Sequence, residues 1–142
     1  MRHGEGSQHF ANGDVYSGQW VHGIRHGIGT FAHQNGDVYT GPFENDKKQG
    51  RGAYYYSNSD RYEGEFFDGN KTGEGSYFYS NGNQYVGQWV EDLKDGQGKY
   101  TYSSASGPMA GNEYDGHWQY GKRHGAGTVR EAAEYLGLIW FC

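Results

Sequence analysis

The chain has 142 residues, enough for one domain or one repeat array, and it carries 26 Gly, 14 Tyr, 7 Phe and 4 Trp. Leu and Ile number three each and the mean hydropathy is −1.01. A Leu/Ile/Val interior is therefore excluded, and burial must come from rings laid on glycine. The net charge of −5 and pI near 5.7 exclude a nonspecific nucleic-acid binder, which needs a concentrated basic surface. The one cysteine, Cys142, rules out an internal disulfide and suits a reducing compartment. No apolar signal core opens the chain, and the run Leu136 to Cys142 is too short to span a bilayer. The expectation is a soluble, cytoplasmic protein.

In chain order, residues 1–15 read as a half unit, "RHGEG" leading to a turn at Asn12-Gly13. Five units follow over residues 16–128. Each opens with Tyr-x-Gly-x-Trp/Phe: Tyr16-Gly18-Trp20, Tyr39-Gly41-Phe43, Tyr62-Gly64-Phe66, Tyr85-Gly87-Trp89 and Tyr114-Gly116-Trp118. Within a unit the alternation puts Tyr, Gly and ring on one side of a strand. A polar turn follows, with Gly23, Asp46, Gly69, Asp92 or Gly121 at one equivalent position. Gly and Asp both tolerate left-handed backbone there.

A Gly-x-Gly then begins the return strand: Gly27/Gly29, Gly50/Gly52, Gly73/Gly75, Gly96/Gly98 and Gly125/Gly127. Both glycines read as bare slots over which neighbouring rings lie. Asn35-Gly36 and Asn81-Gly82 turn into the next unit, and Asn58-Ser59 predicts a looser turn. Six extra residues fall in the loop 103–113 before Tyr114. The last segment, 129–142, reads as a short helix over "REAAEYL" or as a sixth partial unit begun by Tyr135-Leu136-Gly137; strand parity favours the second.

The tetrapeptide Arg2-His3-Gly4-Glu5 resembles the start of a histidine phosphatase signature. Its register argues against a nucleophile. Gly4 and Gly6 lie 23 residues before Gly27 and Gly29, and Arg-His-Gly recurs at Arg25-His26-Gly27 and Arg123-His124-Gly125. It is the second half of a unit whose first half is missing. Tyr-x-Gly-x-Trp/Phe with Gly-x-Gly at a fixed offset, in five copies, resembles the MORN repeat (membrane occupation and recognition nexus), from His3 to about Thr128.

The expected fold is all-β: an elongated, single-layer antiparallel sheet of stacked hairpins, with approximately nearest-neighbour stability. The expected function is a non-enzymatic scaffold or adaptor. A one-layer sheet buries rings on one side only, so Tyr16, Trp20, Tyr39, Phe43, Tyr62, Phe66, Tyr85, Trp89, Tyr114 and Trp118 form a candidate strip for a protein segment. The bland reading makes the same rings simply the core.

A second row, Arg25, Lys48, Lys71, Lys94 and Arg123, occupies one hairpin turn and lines one edge, a candidate contact for anionic lipid. Membrane or cortical-cytoskeleton attachment is what the resemblance implies. The charge pattern supports it weakly, because Glu44, Asp46, Asp68, Glu91, Asp92 and Asp95 dilute the bases. Leu138, Ile139, Trp140 and Phe141 are apolar with nothing in the repeat plan to cover them, and are expected to join two copies in a homodimer. No spacing suits a metal or cofactor, and no nucleophile, base and oxyanion donor group together.

Overall fold

A computed structural model of the chain describes residues 1–132 and the backbone of residues 136–141. Among the described residues all regular structure is strand except one short 3₁₀ turn, Gly107–Met109, in the long loop. The chain divides into two compact units, Met1–Asn70 and Lys71–Cys142.

In the first unit the strands are β1 (Gly4–His9), β2 (Val15–Val21), β3 (Ile24–Ala32), β4 (Val38–Glu44), the two-residue β5 (Lys47–Lys48), β6 (Gly50–Tyr55) and β7 (Arg61–Phe67). They pair antiparallel in the order β1-β2-β3-β4-β6-β7, with β5 on β4. The second unit contains β8 (Asn70–Phe78), β9 (Gln84–Val90), β10 (Leu93–Thr101), β11 (Glu113–Gln119), β12 (Lys122–Arg130) and β13 (Leu136–Phe141). These pair antiparallel in chain order. The C-terminal segment is thus a strand, Val129 opposite Gly137 and Gly125 opposite Phe141. The side chains of Leu138, Ile139, Trp140 and Phe141, the expected dimer contact, lie outside the described residues, as does Tyr135.

Each unit is one sheet thick, so it needs a core made on a face rather than between layers. The opening Tyr makes it. Its ring lies along its own strand, over the glycine two residues on. Its hydroxyl donates to the carbonyl three residues on: Tyr16 to Gln19 (2.9 Å), Tyr39 to Pro42 (2.7 Å), Tyr62 to Glu65 (2.8 Å), Tyr85 to Gln88 (2.8 Å) and Tyr114 to His117 (2.9 Å). That single posture explains Tyr-x-Gly. A Cβ on Gly41 would stand 2.8 Å from the Tyr39 hydroxyl. The ring at the fifth position then meets the Tyr edge-on, at 5.0–5.4 Å and 82–90°, within a repeat and from the next one. T-shaped pairs of this kind add about 0.5–1.5 kcal/mol each beyond their burial.

The two glycines of Gly-x-Gly do different work, contrary to their reading as equivalent slots. The second touches the ring: a Cβ on Gly29, Gly98 or Gly127 would collide with Tyr16, Tyr85 or Tyr114. The first sits at positive φ, +80° at Gly27 and +96° at Gly96, where the ladder register shifts. It makes a β-bulge. A glutamine on the neighbouring strand closes the gap. Gln19 Oε1 accepts from the Ile28 N–H and Gln88 Oε1 from the Gln97 N–H, both at 2.7 Å. Pro42 holds the same position in β4 and has no side-chain acceptor to offer. There the return strand is broken into β5 and β6.

Both rows of turns are tied from repeat to repeat. At one end Asp14, Asp37, Asn83 and Asn112 accept from the N–H groups of Gln34, Ser57, Ser103 and Ala132 at 2.8–3.0 Å. At the other, the left-handed residue donates its N–H to the carbonyl of a base: Gly23 to Arg2, Asp46 to Arg25, Gly69 to Lys48, Asp92 to Lys71 and Gly121 to Lys94. The expected looser turn at Asn58-Ser59 is not looser. Ser59 adopts φ +75°, and its N–H donates to Tyr56 at 3.0 Å, as Gly36 does to His33. The surrounding hairpin imposes the same turn on a less suited residue.

Candidate protein-binding face

Structure changes the role of the expected ring strip. Tyr16, Tyr39, Tyr62, Tyr85 and Tyr114 have no exposed surface, and Trp20, Phe43, Phe66, Trp89 and Trp118 keep only 4–6%. They are the core of the ring face: Tyr16, Tyr39 and Tyr85 are each roofed by fifth-position rings from two repeats, and Tyr62 and Tyr114 by the ring of their own. Burial also raises the hydroxyl pKa of Tyr16, Tyr39, Tyr85 and Tyr114 above the ordinary value.

The accessible rings form a second row, outside the Tyr-x-Gly-x-Trp/Phe motif. The return strand continues Gly-x-Gly-x-ring-x-ring: Phe31 and His33, Tyr54 and Tyr56, Tyr77 and Tyr79, Tyr100 and Tyr102. All eight are half-buried, and each pair is tilted at 4.5–4.9 Å between centroids. The signal was legible, since two-residue spacing after a strand glycine keeps a side chain on the same face.

The bases do not line a solvated edge. Each folds back over the rings and is half-buried. In the first unit Arg25 lies 5.1 Å from Phe31 and 5.5 Å from Phe43, and its Nε meets Asp46 Oδ1 at 3.1 Å. Lys48 Nζ lies 4.8 Å from Tyr54 and 5.3 Å from Phe66. A cleft of about 180 Å³ opens here, lined by Phe31, His33, Tyr39, Lys47 and both bases. In the second unit Lys71 covers Tyr77 and Trp89 at 5.1 and 4.9 Å. Arg123 covers Tyr114 at 4.7 Å and donates to the Tyr102 hydroxyl.

Lys94 is enclosed by rings. Four rings surround its Nζ: Tyr79, Tyr85, Tyr100 and Trp118, at 5.6, 5.4, 5.2 and 4.8 Å. It donates to the Tyr79 hydroxyl at 2.9 Å. Burial, with Arg123 and Lys71 nearby, lowers its pKa to about 8. A long apolar stem and a ring-seeking cation explain the fold-back, since aliphatic carbons cover rings while the charge meets their faces.

His3 is exposed and faces the ring of His22 at 5.6 Å. Among the described residues no group of three or more His, Cys, Asp or Glu is placed to hold a metal. No helix among them is long and apolar enough to cross a membrane.

The MORN repeat pattern matches residues 1–15, 16–38, 39–61, 62–84, 85–106 and 114–130, nearly the whole chain. The chain belongs to the MORN repeat family. Its repeats are thus hairpins whose Tyr, fifth-position ring and second glycine build the core, leaving the second ring row and the bases on the outside. No curated protein sequence matches the chain. Among solved structures it is similar to the SAS-4 (dCPAP) TCP domain of Drosophila melanogaster in complex with a proline-rich motif of Ana2 (dSTIL). The likeness covers 97% of this chain and 72% of that one, with 11% identity and a TM-score of 0.59. At that identity it is a likeness of fold alone.

Proposed function

We infer that this MORN chain is a non-enzymatic scaffold that holds an extended segment of a partner protein along the second ring row of either unit. One observation carries the reading: the core is complete without that row. Tyr54, Tyr56, Tyr77, Tyr79, Tyr100 and Tyr102 stay half-exposed above rings already roofed by others. Rows of partly exposed rings with hydroxyl tips suit peptide segments, offering flat apolar contact and a polar handle together. The similar Drosophila domain, bound to a proline-rich motif, supports a segment rather than a globular partner. The ten core rings contribute as the floor under this row.

A tether to anionic lipid is the weaker reading. It requires charges presented outward to a flat surface, whereas these bases are directed onto rings.

A photo-crosslinking amino acid placed at Tyr102, or at Val86 on the opposite face, tests the reading in cells of the source organism. Crosslinks to a protein segment are expected from position 102 and at least about fivefold fewer from position 86, the contrast a one-faced interface gives. Equal yields from the two positions would sink it.

A further inference from the structure

Five bases sit on the ring face, and their surroundings differ. The residue that decides is the left-handed turn residue of the following repeat. Asp46 follows Arg25 and binds its side chain; Asp92 follows Lys71 and accepts from its backbone N–H at 2.8 Å. Gly69 follows Lys48 and Gly121 follows Lys94, and neither glycine brings a carboxylate; Lys94 also has two further cations near it, Arg123 and Lys71. The groups facing Lys94 are Tyr79 and Lys71 from β8, Tyr85 from β9, Tyr100 from its own strand, Trp118 from β11 and Arg123 from β12. The charged ones are both cations. Of the three ammonium protons, one meets the Tyr79 hydroxyl. Among the described residues the other two have no acceptor.

We propose that Lys94 centres a carboxylate-reading site for an acidic, proline-rich segment of a partner protein, with carboxylates at every third residue to meet Lys71, Lys94 and Arg123. This rests on the segment-binding reading above and names the segment's chemistry. Charge complementarity carries the sign. The chain as a whole is −5, so an acidic segment is repelled from most of it and drawn only where cations are concentrated. On β8, β10 and β12 the positions alternating with the glycines on this face hold Lys71, Tyr77, Lys94, Tyr100 and Arg123. Glu74 and Asp115 alternate onto the other side.

Spacing carries the conformation. Two strands per repeat put successive bases ~9.6 Å apart. A polyproline II helix advances ~9.3 Å per three-residue turn and keeps i, i+3 and i+6 on one side. A β-strand covers a similar length in three residues but turns every third side chain to the opposite side. Only the first puts a carboxylate at each base. Its prolines then meet the half-exposed rings of Tyr77, Tyr79, Tyr100 and Tyr102, the chemistry by which aromatic grooves take proline-rich segments.

The full chain is titrated against three fluorescein-labelled peptides of about twelve residues, repeating Glu-Pro-Pro, Gln-Pro-Pro or Glu-Pro, by anisotropy at about pH 7. Glu-Pro-Pro should bind at least about tenfold tighter than either other. Lys94→Met should erase the preference while leaving Gln-Pro-Pro unchanged. Raising the pH to about 9.5 should weaken Glu-Pro-Pro binding about tenfold as Lys94 loses its proton near 8. Lys94→Arg should keep the preference and lose that pH dependence, a readout that a merely structural lysine would not move. Gln-Pro-Pro binding as tightly as Glu-Pro-Pro overturns this site and leaves the segment reading standing. No binding by any peptide overturns both. Vesicles of phosphatidylcholine with about 30% phosphatidylserine form the last arm. Lys94-dependent capture on them, with no preference for Glu-Pro-Pro, assigns the cations to a lipid surface and overturns the proposal.

Discussion

The unit Met1–Asn70 and the unit Lys71–Cys142 use the same hairpin, and two bases in the same slot, one from each unit, meet different chemistry. In the first, Arg25 lies on rings and is met by Asp46 through Nε, the backbone N–H and a main-chain carbonyl. In the second, Lys94 lies on four rings and, among the described residues, is met only by a tyrosine hydroxyl. The turn residue one repeat later makes the difference, Asp in one case and Gly in the other. Both satisfy the left-handed backbone, at φ +67° for Asp46 and +79° for Gly121. A choice that is neutral for the fold therefore sets the electrostatics of the exposed face. The repeats also differ in how closely ring and glycine approach, Gly29 of the first unit matching Gly98 of the second. A Cβ on Gly52 would stand 2.7–2.9 Å from the Tyr39 ring and hydroxyl, whereas one on Gly98 would overlap Tyr85 more deeply.

The largest effect expected from breaking this comparison is at those glycines. Gly98→Ala should lower stability by about 3 kcal/mol or more, because the obstacle is a ring pinned by its hydroxyl bond to Gln88. Gly52→Ala should cost less, about 1–2 kcal/mol, because its Cβ overlaps the equally pinned Tyr39 ring less deeply. Urea denaturation of the two variants checks the order, and equal losses would mean that ring position is not rigid.

An intermediate effect comes from transplanting the turn chemistry. The Lys94 pKa is lower folded, about 8, than unfolded, 10.5. Between those values the unfolded state binds more protons, so stability rises with pH across that window. After allowance for solvent screening the rise is about 1–2 kcal/mol. It turns down once the unfolded tyrosines ionise near 10, because burial raises the folded pKa of Tyr16, Tyr39, Tyr85 and Tyr114. Gly121→Asp has room, the nearest atom to a new Cβ being Leu93 Cδ2 at 3.8 Å. It should supply the missing carboxylate and flatten the rise. Denaturation midpoints from pH 7 to about pH 11 for the wild type, Gly121→Asp and Lys94→Met measure it; a rise surviving in Lys94→Met would refute the assignment.

The smallest effect is at the opposite turns, where Asp37 in the first unit matches Asn83 in the second. Burial pushes the Asp37 carboxyl up, but hydrogen bonds from the Ser57 N–H and the Tyr54 hydroxyl outweigh it and hold the pKa below the ordinary value. Its contribution is present above about pH 4 and is lost as the pH falls through the lowered value. Asp37→Asn should remove about 0.5 kcal/mol of this acid-dependent stability, an amount suited to an exposed group. Asn83 accepts from Ser103 at 2.9 Å without titrating, so Asn83→Asp should add an acid-dependent limb. Parallel acid titrations of both variants would show whether the two turns are interchangeable.

Strands, hairpins and the ten core rings follow from local pattern. Tyr-x-Gly-x-ring sets alternation, Gly-x-Gly marks the return strand, and a fixed period stacks equal units, so nearest neighbours suffice to define them. Residue type alone could not separate the two glycines, because one answers to backbone twist at a bulge and the other to a ring on another strand. Nor could it place Arg25, Lys48, Lys71, Lys94 and Arg123. Their spacing assigns them to a turn row, but a side chain with four rotatable bonds ends where its cation finds rings and its stem finds cover. Tertiary structure decided that, and with it which rings are core and which are left to meet a partner: Tyr16, Tyr39 and Tyr85 are buried where the next repeat lays a second ring across them.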